Sequence, residues 1–152
     1  MILSWLEKRP SKFNLLLDSK KDGDSTSTFH KLCGEKCPLI LFFKTTNGSR
    51  FGGFTTQIWP NDGKKEDGKS FVFSLDKKEK YKVTDTNNAI IGREDYIQFG
   101  ACCFMIRNNC TTVNTNYICD NKNCYDIPSN FGLTGGDRKF TISSYEVYQI
   151  EY

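Results

Sequence analysis

Residues 49–59 read "SRFGGFTTQIW" and follow an Asn47-Gly48 pair, which in turn follows the apolar run "PLILFF" at 38–43. Asn-Gly between two apolar runs is the strongest short hairpin signal, because a type I′ turn needs positive φ at both central residues. Residues 50–58 are therefore expected as a strand paired with 38–43. The puzzle is Gly52-Gly53, set between Phe51 and Phe54. Glycine weakens a strand interior unless something needs the room. Two uses compete: close internal packing, with or without a β-bulge, or the approach of a partner.

Outward from this hairpin, strand signals dominate. Apolar runs recur at 12–17, 70–75, 81–83, 89–91, 102–106 and 140–150, separated by Gly- and Asn-rich turns. Short strands at such spacing argue for a β-sandwich, mainly β with a few short helices, over a doubly wound sheet. One helix is expected after Ser25 or Ser27, with Phe29, Leu32 and Cys33 on one face and Gly34 as its stop. A shorter helix fits within 2–8, and one turn near Pro128. Residues 18–24 read as a turn. Residues 108–130 read as a long loop with a short strand around Tyr117-Ile118. The chain shows no internal repeat and is read as one domain over 1–152.

Composition removes several function classes. With 38% apolar and 26% charged residues, the chain is neither disordered nor membrane-spanning in character. The 38–43 run is far short of the roughly 20 residues a membrane helix needs. Residues 1–10 hold Trp5 and three charges, unlike a secretory signal. The net charge is only +3, and the patches Lys64-Lys65 and Lys77-Lys78 with Lys80 are broken by acids, so they read as solvated loop faces. A nucleic-acid binder would show a longer single-sign footprint. Phe51 and Phe54 stand three apart and so face opposite sides of a strand, which excludes a shared platform for stacking RNA bases.

Chemistry is scarce. There is one histidine, no Gly-x-Ser-x-Gly elbow, no phosphate-cradling loop and no dinucleotide fingerprint. "GLTGGD" at 132–137 precedes a strand and reads as a hairpin turn. Seven cysteines are an odd count for a disulfide framework and read as thiols of a reducing compartment. His30, Cys33 and Cys37 would share a helix face if the helix passed Gly34, and Cys110, Cys119 or Cys124 could complete four zinc ligands. Structural zinc usually shows two tight Cys pairs, which are absent, so no metal or cofactor is expected and the bland reading is a buried Cys33 beside a solvated His30. Cys102-Cys103, adjacent on an expected strand, point to opposite faces. Cys33 and Cys103 are the candidate redox thiols, but reactivity would need a lowered pKa that nothing nearby promises.

The final strand holds an oddity. Phe140, Ile142, Tyr148 and Ile150 share a parity with Glu146. Either Glu146 is a buried polar anchor, the reading favoured here, or a bulge at Ser143-Ser144 resets the register; an edge position open to water is the third option.

In order and spacing these pieces resemble the TLDc domain of eukaryotic oxidation-resistance proteins. The resemblance is carried by "FNLLLDSKKDGDSTSTFHKLC" (13–33), "PLILFFKTTNGSRFGGFTTQIW" (38–59), "SFVFSL" (70–75), "NNAIIG" (87–92), "FGACCFMI" (99–106) and "YDIPSNFGLTGGDRKFTISSYEVYQI" (125–150). It implies two antiparallel sheets packed as a sandwich, no enzymatic activity, and an intracellular, cytoplasmic role in protection against oxidative stress. It implies a protein partner, the peripheral subunits of the vacuolar proton pump, and an influence on pump assembly. It says nothing of the oligomeric state. The family motifs fall on Phe51, Gly52, Gly53, Phe54, Trp59, Phe99-Gly100, and the closing Glu146, Val147 and Tyr148. Cys103 stands where the family commonly has Asp. The rival reading is a peroxide-scavenging or redox-sensing thiol protein.

Overall fold

The structure, a computed structural model, describes residues 1–101, 103–118 and 124–152. Among these, twelve strands form two antiparallel sheets. Strands β1 (Lys12–Asp18), β2 (Leu39–Thr45), β3 (Arg50–Thr55), β4 (Gly63–Lys65), β5 (Phe71–Ser74) and β6 (Glu79–Lys82) occupy the first half. The second half holds β7 (Ile90–Gly92), β8 (Tyr96–Phe99), β9 (Phe104–Arg107), β10 (Asn116–Ile118), β11 (Lys139–Phe140) and β12 (Ile142–Glu151). The first sheet runs β1-β12-β2-β3-β5-β6 and the second β11-β10-β9-β8-β7-β4.

The central hairpin pairs β2 with β3 as expected, Leu41 opposite Gly53 and Phe42 opposite Gly52, with no break in register. Its turn differs from the type I′ expectation. Gly48 N–H donates to Thr45 O (3.0 Å), and Gly48 alone among the loop residues has positive φ (+94°). This is the longer hairpin loop in which a left-handed residue follows an ordinary turn. Asn47 lacks the positive φ of a type I′ turn, and its Nδ2 donates to Thr134 O (3.0 Å) and Asp137 Oδ2 (2.6 Å). "GLTGGD" is therefore no hairpin turn. It runs from a short 3-10 turn (Asn130–Leu133) into a loop that latches onto the β2–β3 connection.

Period-2 alternation divides the first sheet into two apolar faces. Leu17, Leu41, Phe43, Phe51, Val72, Tyr145 and Val147 face the second sheet. There they meet Phe99, Phe104 and Phe140; the rings of Phe51 and Phe104 stand 5.1 Å apart, edge to face. Each such side chain withdrawn from water contributes roughly 1.5–3 kcal/mol. Ile40, Phe54, Phe71, Phe73 and Ile150 lie on the opposite, outer face. They are covered by the N-terminal segment: α1 (Ile2–Trp5) and Leu6, with the Trp5 ring 5.6 Å from Phe73 and 6.4 Å from Phe71.

The turn expected at 18–24 contains one helical turn, α2 (Ser19–Asp22), capped by the Asp18 carboxylate. The main helix is α3 (Thr26–Cys33), with Ser25 as N-cap and Gly34 as C-cap. The hydroxyl of Ser25 accepts from Thr28 N–H (3.1 Å), satisfying one of the orphan donors at the helix start.

The closing strand was read as one piece and is two. Lys139–Phe140 belong to the second sheet and Ile142–Glu151 to the first, so the chain crosses between sheets at Thr141. Its pairing with β2 shifts between Ile142 and Ser144. That bulge puts Ile142 on the same inner face as Tyr145 and Val147, and Glu146 on the outer one.

Candidate functional site

The glycine pair is architecture. A Cβ on Gly53 would stand 2.3 Å from Phe99 Cζ, and one on Gly52 1.9 Å from Leu41 O and 2.6 Å from Phe73 Cζ. The two residues face opposite ways, Gly53 into the space between the sheets and Gly52 toward the outer face. Pairing on both sides of β3 is regular, so there is no bulge. Phe51 is fully buried and Phe54 nearly so, on opposite faces, as their spacing requires. In this fold, none of the four offers a partner a free surface.

Phe99 is the hub that the missing Cβ of Gly53 admits. Its ring lies 5.2 Å from Trp59 and 5.1 Å from Phe104. Trp59 is buried, packs on Phe29 (5.4 Å), and its Nε1–H donates to Ile91 O (3.2 Å). Gly100, at φ +68°, opens the turn that joins β8 to β9, and Cys103 N–H closes it on Phe99 O (3.0 Å). Cys103 thus sits in that turn, and β9 begins only at Phe104, because the left-handed residue breaks the strand before it. Cys102 and Cys119, named above as thiol and zinc candidates, lie outside the described residues.

Glu146 is half-buried, and the anchor reading is corrected: it lies on the outer face, where it accepts a hydrogen bond from the Tyr148 hydroxyl. That bond, with burial second, pushes the Tyr148 phenol up to about 12.

The thiols are placed against redox chemistry. Cys33 and Cys103 are both fully buried. Burial, with Asp22 nearby, pushes Cys33 up to about 12, and burial also raises Cys103, with Cys124 adding to it. A nucleophilic thiolate needs the opposite shift. The zinc geometry is absent too: α3 ends at Cys33, so Cys37 leaves its face. His30 is half-buried rather than fully solvated, with its Nε2 3.0 Å from Arg93 O. Among the described residues no three metal-binding side chains converge.

Three polar devices had no local signal in the sequence. Asp67 is buried and accepts from Thr55 Oγ1 (2.7 Å), Thr56 N (2.7 Å), Thr56 Oγ1 (2.9 Å) and Lys69 N (3.0 Å). The Tyr125 hydroxyl donates to Ala89 O (2.8 Å) and lies 2.7 Å from Ser70 Oγ, which reaches Phe54 O (2.8 Å). Asn116 accepts from Arg107 N (2.8 Å) and donates to Cys110 O (3.0 Å) and Phe140 O (3.1 Å). All three tie loops to strands. None is arranged around an open reacting position.

What the surface offers lies on the outer face, to either side of the N-terminal segment. On one side is a shallow apolar depression lined by Met1, Leu3, Phe13, Phe42 and the Glu146–Tyr148 pair. Met1, Leu3, Phe13 and the neighbouring β1 residue Leu15 are all exposed. On the other side is a cleft of about 320 Å³ between Trp5–Leu6 and strands β5 and β6. Lys80, read as part of a solvated loop face, is on β6 instead: its Nζ donates to Trp5 O (3.0 Å) and lies 5.0 Å over the Phe71 ring.

No helix among the described residues is long and apolar enough to cross a membrane. A comparison with curated proteins finds no match. The TLDc domain model matches residues 1–151, nearly the whole of the two-sheet architecture just described, and the chain belongs to the TLDc domain family.

Proposed function

We propose that this chain is a non-catalytic protein-interaction domain acting in cytoplasmic protection against oxidative stress, through binding to the peripheral subunits of the vacuolar proton pump and through pump assembly. The observation that carries the reading is the way the motif residues are spent. Phe51, Gly52, Gly53, Phe54, Trp59 and Gly100 all serve sheet packing or turns, and the polar atoms of Asp67, Asn116 and Tyr125 are spent on loops and strands of the chain itself. That leaves the outside of the molecule as its working part. Met1, Leu3 and Phe13 line one exposed apolar depression, and such exposure on a folded domain marks an interaction surface.

Mixing the purified chain with the pump's peripheral sector tests it. Co-migration in gel filtration, with a change in the amount of assembled pump, is the expected result. Failure of both removes the pump from the proposal. The thiol alternative is met by peroxide consumption: turnover with loss of thiol titre would replace an interaction module with a redox protein.

A further inference from the structure

The cleft beside the N-terminal segment has a charge pattern that the fold leaves unbalanced. Four lysines line it, Lys8, Lys69, Lys80 and Lys82, against one acidic side chain, Glu7. Glu7 is taken by Lys69, at 2.9 Å on the rim. Lys80 and Lys82 stand two apart on β6 and so project from the same side of the terminal strand of their sheet. Among the described residues neither has an ion-pair partner. Lys80 is held in place by Trp5 O and by the face of Phe71. Burial and the neighbouring Lys82 push its ammonium pKa down, and Glu7 opposes them only in part. Beneath these ammonium groups the stacked rings of Phe54 and Phe71, 4.9 Å apart and 22° from parallel, are already buried, so the cleft's accessible chemistry is that of its lysines.

We propose that this cleft docks an acidic peptide segment of a partner protein. One of its carboxylates sits between Lys80 and Lys82. The volume, about 320 Å³, is at the small end of ligand sites, room for a side chain or two rather than for a folded surface. Charge complementarity chooses the acidic occupant. A nucleic acid would need a longer basic track along its phosphates than one cleft in a chain of net charge +3 supplies. An anionic membrane would favour protruding lysines, whereas Lys80 is drawn inward against Trp5. The site deepens the interaction-module reading by naming the chemistry of the partner, and it does not depend on the pump being that partner.

The test is fluorescence anisotropy of the full chain with a short fluorescein-labelled peptide of Asp, Glu and Gly. Saturable binding that weakens with added salt is expected, since partly exposed charge pairs are screened. Lys82→Glu should weaken it about tenfold or more, and Lys80→Gln with Lys82→Gln likewise. Lys64→Gln with Lys65→Gln, on the other sheet, should leave it unchanged. Among the described residues Lys82 is in no ion pair, and loss of binding in Lys82→Glu with an unaltered urea midpoint is not unfolding. Absence of saturable binding, or equal affinity in Lys82→Glu, overturns the proposal. So does Lys82-dependent binding to phosphatidylserine vesicles that the peptide fails to compete, which would make the site a lipid one. Peptide binding without any pump interaction keeps this site and removes the pump; pump binding unaffected by Lys82→Glu does the reverse.

Discussion

The Phe99 ring occupies the place a side chain on Gly53 would need, with its Cζ 2.3 Å from where that Cβ would stand. The ring cannot retreat freely, because Trp59, Phe104 and Tyr125 hold it from other directions. Gly53→Ala should therefore cost about 3 kcal/mol or more, above the usual range for overpacking by one methyl. Gly52→Ala meets the Leu41 carbonyl at 1.9 Å and should cost at least as much. The two differ in what relieves them. Phe99→Leu should reduce the penalty of Gly53→Ala and leave that of Gly52→Ala unchanged, a difference a double-mutant cycle in urea isolates. Equal coupling to both would mean that the glycines do not face opposite sides.

Asp67 clips the loop between β3 and β5 by accepting four hydrogen bonds, two of them from backbone N–H groups. Asp67→Asn keeps the shape but turns one acceptor into a donor facing donors. A loss of roughly 2–3 kcal/mol is expected, the scale of leaving a buried polar group unsatisfied. Thr55→Val removes only one partner and should cost less. Urea midpoints of the two variants check the ranking, and an unchanged midpoint for Asp67→Asn would show that the loop is held by something else.

These two sites depend on contacts between residues far apart in the chain, which local sequence does not announce. The β2–β3 hairpin, the α3 caps and the opposite facing of Phe51 and Phe54 were legible because each is set by residues within a few positions of one another. Strand β4 was missed because Gly63-Lys64-Lys65 sits on a sheet edge and carries no alternation. Strand β8 was missed because Tyr-Ile-Gln-Phe is short and interrupted by Gln98, whose amide is buried and bonded to Gly100 O. Asp67 next to Gly68 looks like an ordinary turn; the Thr55 and Thr56 donors that bury it come from 11 and 12 residues away. Alternation along β6 could have separated Lys80 and Lys82 from the loop lysines, had the strand been extended past Tyr81 in both directions.

One amide ties the connection after β9 to three places in the fold. Asn116 is fully buried, accepts from Arg107 N–H and donates to two carbonyls, Cys110 O and Phe140 O, so it joins β9, its following turn and β11. Asn116→Asp keeps the size but sets a carboxylate oxygen against those carbonyls, while Asn116→Ala only leaves them unpaired. Aspartate should therefore be the more damaging variant, by at least about 1 kcal/mol, with alanine itself costing roughly 1–3 kcal/mol. Hydrogen exchange at Ile142 N–H, which bonds Cys110 O, should rise in both. The reverse ranking would place the amide the other way round.

The buried thiols connect stability to alkaline pH, and the sign follows from which state holds its proton. Cys33 and Cys110 are both pushed from an ordinary 9.0 up to about 12, chiefly by burial and next by Asp22 and Asp24 respectively. Below 9 both folded and unfolded chains keep these protons, and their contribution is fully present. Between about 9 and about 12 the unfolded chain releases them while the folded chain does not, so stability falls as pH rises. The urea midpoint should be flat around neutral pH and decline above 9, with a shallower decline in Cys33→Ala with Cys110→Ala. At neutral pH, labelling of Cys33, Cys103 and Cys110 by a disulfide reagent should proceed only as fast as the fold opens, while the partly exposed Cys37 reacts directly. Labelling of Cys33 or Cys103 faster than opening would put a reactive thiolate in the native state and restore the peroxide-scavenging alternative.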